Sequence, residues 1–192
     1  MITSLSTYEL QLVSDAEVLL SKNKIIQTVY AIFGDLAEVY KSELHSSNFN
    51  VADLNNAKIS RGENYIGLPF VMLDYPRQFN KQNFFAIRSF FWWGNFFSIT
   101  LHLSGTFLQE YNSAIQNNLE ELNDSGWLIS AAGEQWQHHF EADNYSVIDI
   151  NTTDIKSRSF IKLAKKIPLS EWDSVNIFYK KNFKSLIAML TN

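Results

Sequence analysis

Cysteine is absent from all 192 residues. Disulfides, thiolate nucleophiles, cysteine-ligated zinc and iron–sulfur clusters are therefore excluded together. Proline and glycine are scarce, at three and seven, which leaves no material for a collagen-like repeat or a flexible Gly/Pro-rich linker. The GxxxxGK[ST] phosphate loop, the GxGxxG dinucleotide turn and the GxSxG nucleophile elbow are all missing. No internal repeat divides the chain, so one domain over residues 1–192 is expected. Residues 1–44 would supply an N-terminal helical pair, 63–104 a strand and a β-hairpin core, and 105–192 a helix, further strands and a C-terminal helix.

Two further absences bear on location. Met1 to Ser6 carries no cationic stretch ahead of an apolar run, so it does not read as a secretory leader. With the missing cysteines, this favours the cytoplasm. The longest apolar stretch, Phe84 to Leu103, is broken by Arg88, Gly94, Asn95 and His102, which reads as two strands and not a membrane span. No membrane partner is expected.

What the chain has in quantity is apolar surface: 46% of residues are hydrophobic and 15% aromatic, with a net charge of only −4. A packed core with bulky side chains follows. Charge is uneven, because residues 152–192 hold eight basic and three acidic side chains. Those lysines and arginines alternate or scatter along a predicted strand and helix, so they are read as solvated faces and not as a phosphate-tracking patch. The aromatic run Phe90-Phe91-Trp92-Trp93 has few cations around it, and no nucleic-acid partner is expected.

Periodicity gives the elements. Ser6 and Glu9 form a capping box before a helix, and Ile26, Val29, Phe33, Leu36, Tyr40 and Leu44 keep helical spacing in a second helix with Asn23 as a candidate cap. Glu63 to Tyr75 reads as one strand, and Tyr75-Pro76-Arg77 as a turn. Phe84–Trp93 and Phe96–Ser104 read as a hairpin about the two-residue turn Gly94-Asn95. A helix follows from Thr106 to Leu122, then a short strand at Trp127–Ser130. Two weaker strand runs fall within 135–149, a strand with alternating lysines over Phe160–Ile167, and a last helix capped at Ser170. Without βαβ alternation, the predicted class is α+β: an antiparallel sheet with helices packed on one face.

Candidate site residues come from this frame. A two-residue turn places Trp93, Phe91, Ser89 and Ile87 opposite Phe96, Ser98, Thr100 and His102 on one face, and Arg88 on the other, apolar face. Arg88 there needs a carboxylate or a ligand anion. The strand ends contribute Arg61, Asp74 and Arg77, next to Gly and Pro positions that hold loops in place. His138-His139 point apart in either helix or strand, so no metal site is assigned, and no cofactor is expected. The leading reading is a non-catalytic protein that binds a small, anionic ligand or a partner protein, using Arg61, Asp74, Arg77 and Arg88 with Trp93 stacking and His102 hydrogen bonding. One alternative is a metal-independent hydrolase or transferase with His102 as general base and Asp74 or Glu63 orienting it. Another is a homo-oligomer whose aromatic surfaces form the interface.

Overall fold

In the computed structural model, which describes residues 4–49, 56–131 and 133–191, seven strands form a single antiparallel sheet with helices packed against one face. Helix α1 (Thr7–Ser14) starts at the expected capping box, where the Glu9 amide donates to Ser6 Oγ at 3.2 Å and the Ser6 amide to the Glu9 carboxylate at 2.7 Å. Helix α2 (Ala16–Ser46) follows after a one-residue break at Asp15. Asn23 is interior to α2 and not its cap, because Asp15 takes that role by accepting from the Glu17 amide at 2.9 Å. Nothing between Asp15 and Ser46 is a proline, so the helix runs on for 31 residues. Asn50, in the loop expected after it, lies outside the described residues.

The strands are β1 (Lys58–Tyr65), β2 (Leu68–Phe79), β3 (Phe84–Trp92), β4 (Phe96–Ser104), β5 (Leu128–Ser130), β6 (Tyr145–Val147) and β7 (Phe160–Pro168). Their spatial order is β1-β2-β3-β4-β7-β5-β6. The single strand expected over 63–75 is in fact a hairpin of β1 and β2, turned at Ile66-Gly67, where both residues take positive φ. Tyr75-Pro76-Arg77 does not turn the chain. The β2–β3 pairing shifts between Asp74 and Arg77, and a bulge is where a strand tolerates a proline that cannot donate to the ladder.

Helices α3 (Thr106–Asn117) and α4 (Leu119–Asp124) replace the one helix expected there, and a 3-10 turn (Leu169–Ser174) precedes α5 (Val175–Thr191). The inward stripe of α2 and that of α5 meet over the sheet, with Tyr40 stacked on Phe183 at 3.7 Å between ring centres. Tyr179 donates to the carbonyl of Phe90 at 3.0 Å, tying α5 to the C-terminal part of β3.

The hairpin of β3 and β4 forms, but its connection has three residues, Trp93, Gly94 and Asn95, with Gly94 at φ +70°. A three-residue loop with glycine in the left-handed region is the alternative to a two-residue turn. Trp92, and not Trp93, therefore faces Phe96. A one-residue slip moves every side chain of a strand to the other face. Phe85, Ile87, Ser89 and Phe91 join Phe97, Ile99, Leu101 and Leu103 beneath the helices. Arg88, Phe90 and Trp92 join Ser98, Thr100 and His102 on the opposite face.

That opposite face is not open. Of the strand runs expected within 135–149, Tyr145–Val147 forms β6, whereas residues 133–144 form an irregular strap whose polar groups bond to side chains and not to a ladder. The strap is closed at its base by the Ala131 amide donating to Asn144 O at 2.9 Å. Phe140 of the strap packs edge-on to Phe96 and stacks on Tyr145. No described helix is long and apolar enough to cross a membrane.

Candidate functional site

Beneath the strap, neighbouring strands bring together side chains that are distant in sequence. Asp74 on β2 is opposite Arg88 on β3, Arg88 is opposite Thr100 on β4, and His102 on β4 is opposite Lys162 on β7. Directly paired residues share a face. Four ionisable groups thus lie within two registers of one another, and Asp74, Arg88, His102 and Lys162 are 5%, 7%, 1% and 2% exposed.

Arg88 meets Asp74 in two-point fashion: Nε donates to Oδ1 at 2.7 Å and Nη2 to Oδ2 at 3.1 Å. This is the planar geometry that suits guanidinium to carboxylate. Nη1, the remaining edge, lies 3.5 Å from His138 Nε2 on the strap. Arg88 is thus charge-neutralised by its cross-strand neighbour.

Lys162 is different. Its ammonium donates to the carbonyl of Gln137 at 2.9 Å and to the side-chain oxygen of Asn144, and it lies 4.8 Å over the Tyr145 ring. All three partners are neutral, and among the described residues no carboxylate comes within ion-pairing distance of it. Burial, with the charge of Arg88 adding to it and that of Glu134 opposing it from beyond ion-pairing distance, lowers its pKa to about 8. The expected solvated lysine is therefore a buried cation, while Lys166, four residues along, is exposed.

The histidines answer to the same field. Burial, then the positive charge of Arg88, lowers the pKa of His102 to about 3, against a weaker opposing bond from Gln135. His138 is held well below the usual histidine range by burial and then by Arg88 and Lys162. Both rings are neutral at physiological pH, and each keeps one donor and one acceptor nitrogen. His102 Nε2 faces the Gln135 side-chain oxygen at 3.2 Å. Tyr65, from the end of β1, accepts from the amides of His138 at 2.7 Å and His139 at 3.0 Å, which pins the middle of the strap.

Of the six residues singled out in the sequence, Asp74, Arg88 and His102 converge here. Arg61 does not: it is exposed on β1 and lies 5.9 Å over the Tyr30 ring on the helix side. Arg77 shares the strap face through its pairing with Ala86, but its Nε donates to the Asn56 carbonyl and its guanidinium lies 5.3 Å over Phe79. Trp93 sits in the hairpin connection and packs against the helix-side core. Glu63, a proposed orienting carboxylate, pairs with Lys22 of α2. Phe90, Phe91 and Trp92 of the aromatic run noted in the sequence are buried within the chain.

Lys162, His138, Tyr65 and Asn144 were missed. The first was masked by a lysine alternation that looked solvated. The strap residues belong to the site through tertiary covering, which no periodicity encodes. One local signal was legible: His138-His139 beside Gln135 and Gln137 is an unusual density of hydrogen-bonding side chains for a surface loop.

A surface cleft lies beside the strap's first residues. A cleft of about 400 Å³ is lined by Ala131, Gly133, Asp154, Arg158 and Phe160, among others. Phe160 is two residues from Lys162 on the same face of β7, and its ring centre is 6.1 Å from that of His102. Compared with protein-family models, curated proteins and solved structures, the chain matches none of them. The functional reading rests on this geometry.

Proposed function

We propose that the protein is a non-catalytic binding protein that takes one small anion, of phosphate or carboxylate size, between Lys162 and Arg88 beneath the strap. The observation that carries this reading is the buried ammonium of Lys162 with only neutral oxygens around it. The covered face holds two permanent or near-permanent cations against one carboxylate. An unpaired buried charge costs several kcal/mol, and the lowered pKa of Lys162 is another expression of that cost. An anion placed against Lys162 removes it, and Arg88 Nη1 and the neutral histidine rings supply further donors.

Access runs through the cleft beside Phe160, with the strap lifting as a unit. The strap has no ladder hydrogen bonds to the sheet, so lifting it breaks the side-chain bonds from Tyr65, His102 and Lys162 and the Phe140 contact while leaving the sheet itself intact. The general-base alternative draws less support. A histidine whose pKa is about 3 is a weak base at neutral pH, and its neighbour is the Gln135 amide while both Asp74 oxygens bond Arg88.

The expected result is a rise in melting temperature with inorganic phosphate, citrate or acetate at matched ionic strength. At a hundred times the dissociation constant, binding adds about 2.7 kcal/mol, or roughly 5–10 °C for a chain of this size. Whichever probe gives the larger rise identifies the class, phosphate or carboxylate. A melting temperature that none of the three moves beyond the effect of sodium chloride would overturn the proposal.

A further inference from the structure

Helix α1 and the first turns of α2 bury nothing: no residue of α1 is buried, and the first buried residue of α2 is Ile26. Leu5, Tyr8, Leu10, Leu12, Val13, Val18, Leu19, Leu20 and Ile25 are each 36% to 71% exposed. Their exposed surface is spread over several sides of the two helices, and around α2 Leu19 and Leu20 lie about 100° and 160° from Val18. Apart from Tyr8 this arm is aliphatic, unlike the aromatic surfaces of the sheet, which the chain itself covers.

The charges of the arm say what covers it. At 100° per residue, Val18, Ser21 and Ile25 line one stripe of α2. Asp15 and Lys22 flank it on one side, and Glu17 and Lys24 on the other. Each flank carries an acid and, seven residues later, a lysine. When two helices pack antiparallel about a twofold axis, each flank meets the same flank of its partner. With the axis between Leu19 and Leu20, Asp15 comes within about 3 Å along the helix axis of Lys22 of the other copy, and Glu17 within the same distance of Lys24, on both sides of the stripe. A parallel arrangement would instead set acids beside acids. Lys22 also bridges to the exposed Glu63 of its own chain, and its ammonium has donors for both.

We infer that the arm is a homodimer interface, in which the Val18–Ile25 stripes of two copies pack antiparallel and α1 of each copy folds over the other. The interface is isologous, so every contact occurs twice. It is independent of the anion site, which lies on the opposite face of the sheet from α2.

Sedimentation equilibrium on the full chain tests it. Wild type is expected at twice 22.2 kDa, and Val18→Lys at 22.2 kDa with unchanged far-ultraviolet circular dichroism. Glu17→Lys and Lys24→Glu, both at exposed positions, should each weaken dimerisation about tenfold, since each sets like charges together twice per dimer. Combining them in one chain should restore the wild-type constant to within about threefold. A wild-type monomer, as expected if a membrane or an unrelated protein covers the arm, would overturn the inference. So would a dimer that survives Val18→Lys, or a double charge reversal that fails to recover.

Discussion

Asp74→Ala is expected to lower stability by about 3–5 kcal/mol, a fall of some 6–20 °C in melting temperature. The cost is not the lost attraction alone. Removing the carboxylate leaves Arg88 charged at 7% exposure, on the same face as the still more buried Lys162. The face would then hold two cations and no anion. The double variant Arg88→Met, Asp74→Leu removes both charges and fills their volume, so it should lose less than about 2 kcal/mol. Urea unfolding of the three proteins measures this. Equal losses for the single and double variants would mean that the pair is ordinary packing and that the charge balance beneath the strap is unimportant.

The second large effect is on pH. His102 and His138 are ordinary histidines in the unfolded chain, with pKa near 6.5, but both are depressed in the folded state, His102 to about 3. Below 6.5 the unfolded chain binds protons that the folded chain refuses, so stability falls as pH falls. The loss continues until the folded pKa is reached. Each such histidine contributes up to about 1.4 kcal/mol per pH unit, or some 3–4 kcal/mol for the pair between pH 6.5 and 5, above the range where most carboxylates titrate. Urea midpoints at pH 7.5, 6.5, 5.5 and 5.0 should decline over that span, and His102→Gln with His138→Gln should flatten the decline. A flat wild-type profile would mean that the strap is open enough to hydrate both rings.

These two effects come from a face whose composition the sequence concealed. The fold class was legible, because apolar periodicity changes from helical spacing in Ile26–Leu44 to β-rich runs in Phe84–Ser104 without any βαβ alternation. The capping box at Ser6 and the hairpin of β3 and β4 were legible for the same reason: both are local. The register was not. Gly94-Asn95 fits a two-residue turn as well as it fits part of a three-residue one, and the choice depends on which set of side chains the helices bury. That single residue decides whether Arg88 faces the helices or sits beside His102. Asp74 and Arg88 were each picked out from sequence, but their meeting required a β2 that runs past Pro76 and does not turn there. Lys162 could not be found by pattern, since alternation marks two faces and does not say which of them a strap 133–144 will cover. Arg61 and Arg77 looked equivalent to Arg88 by residue type. Their positions at the outer strands instead leave them over the Tyr30 and Phe79 rings.

The buried ammonium is the centre of this account, and Lys162→Met is the substitution that addresses it, because it keeps an unbranched side chain of nearly the same length and removes the ammonium with its charge and its bonds to Gln137 and Asn144. Isothermal titration of inorganic phosphate into both proteins, at fixed ionic strength and pH 7, is the most direct measurement. Wild type should bind one phosphate per chain in a saturable isotherm, and Lys162→Met, with its circular dichroism unchanged, should show none. Phosphate binding of equal affinity and stoichiometry in the two proteins, or no saturable heat in either, would contradict the assignment of Lys162 and Arg88 as an anion site.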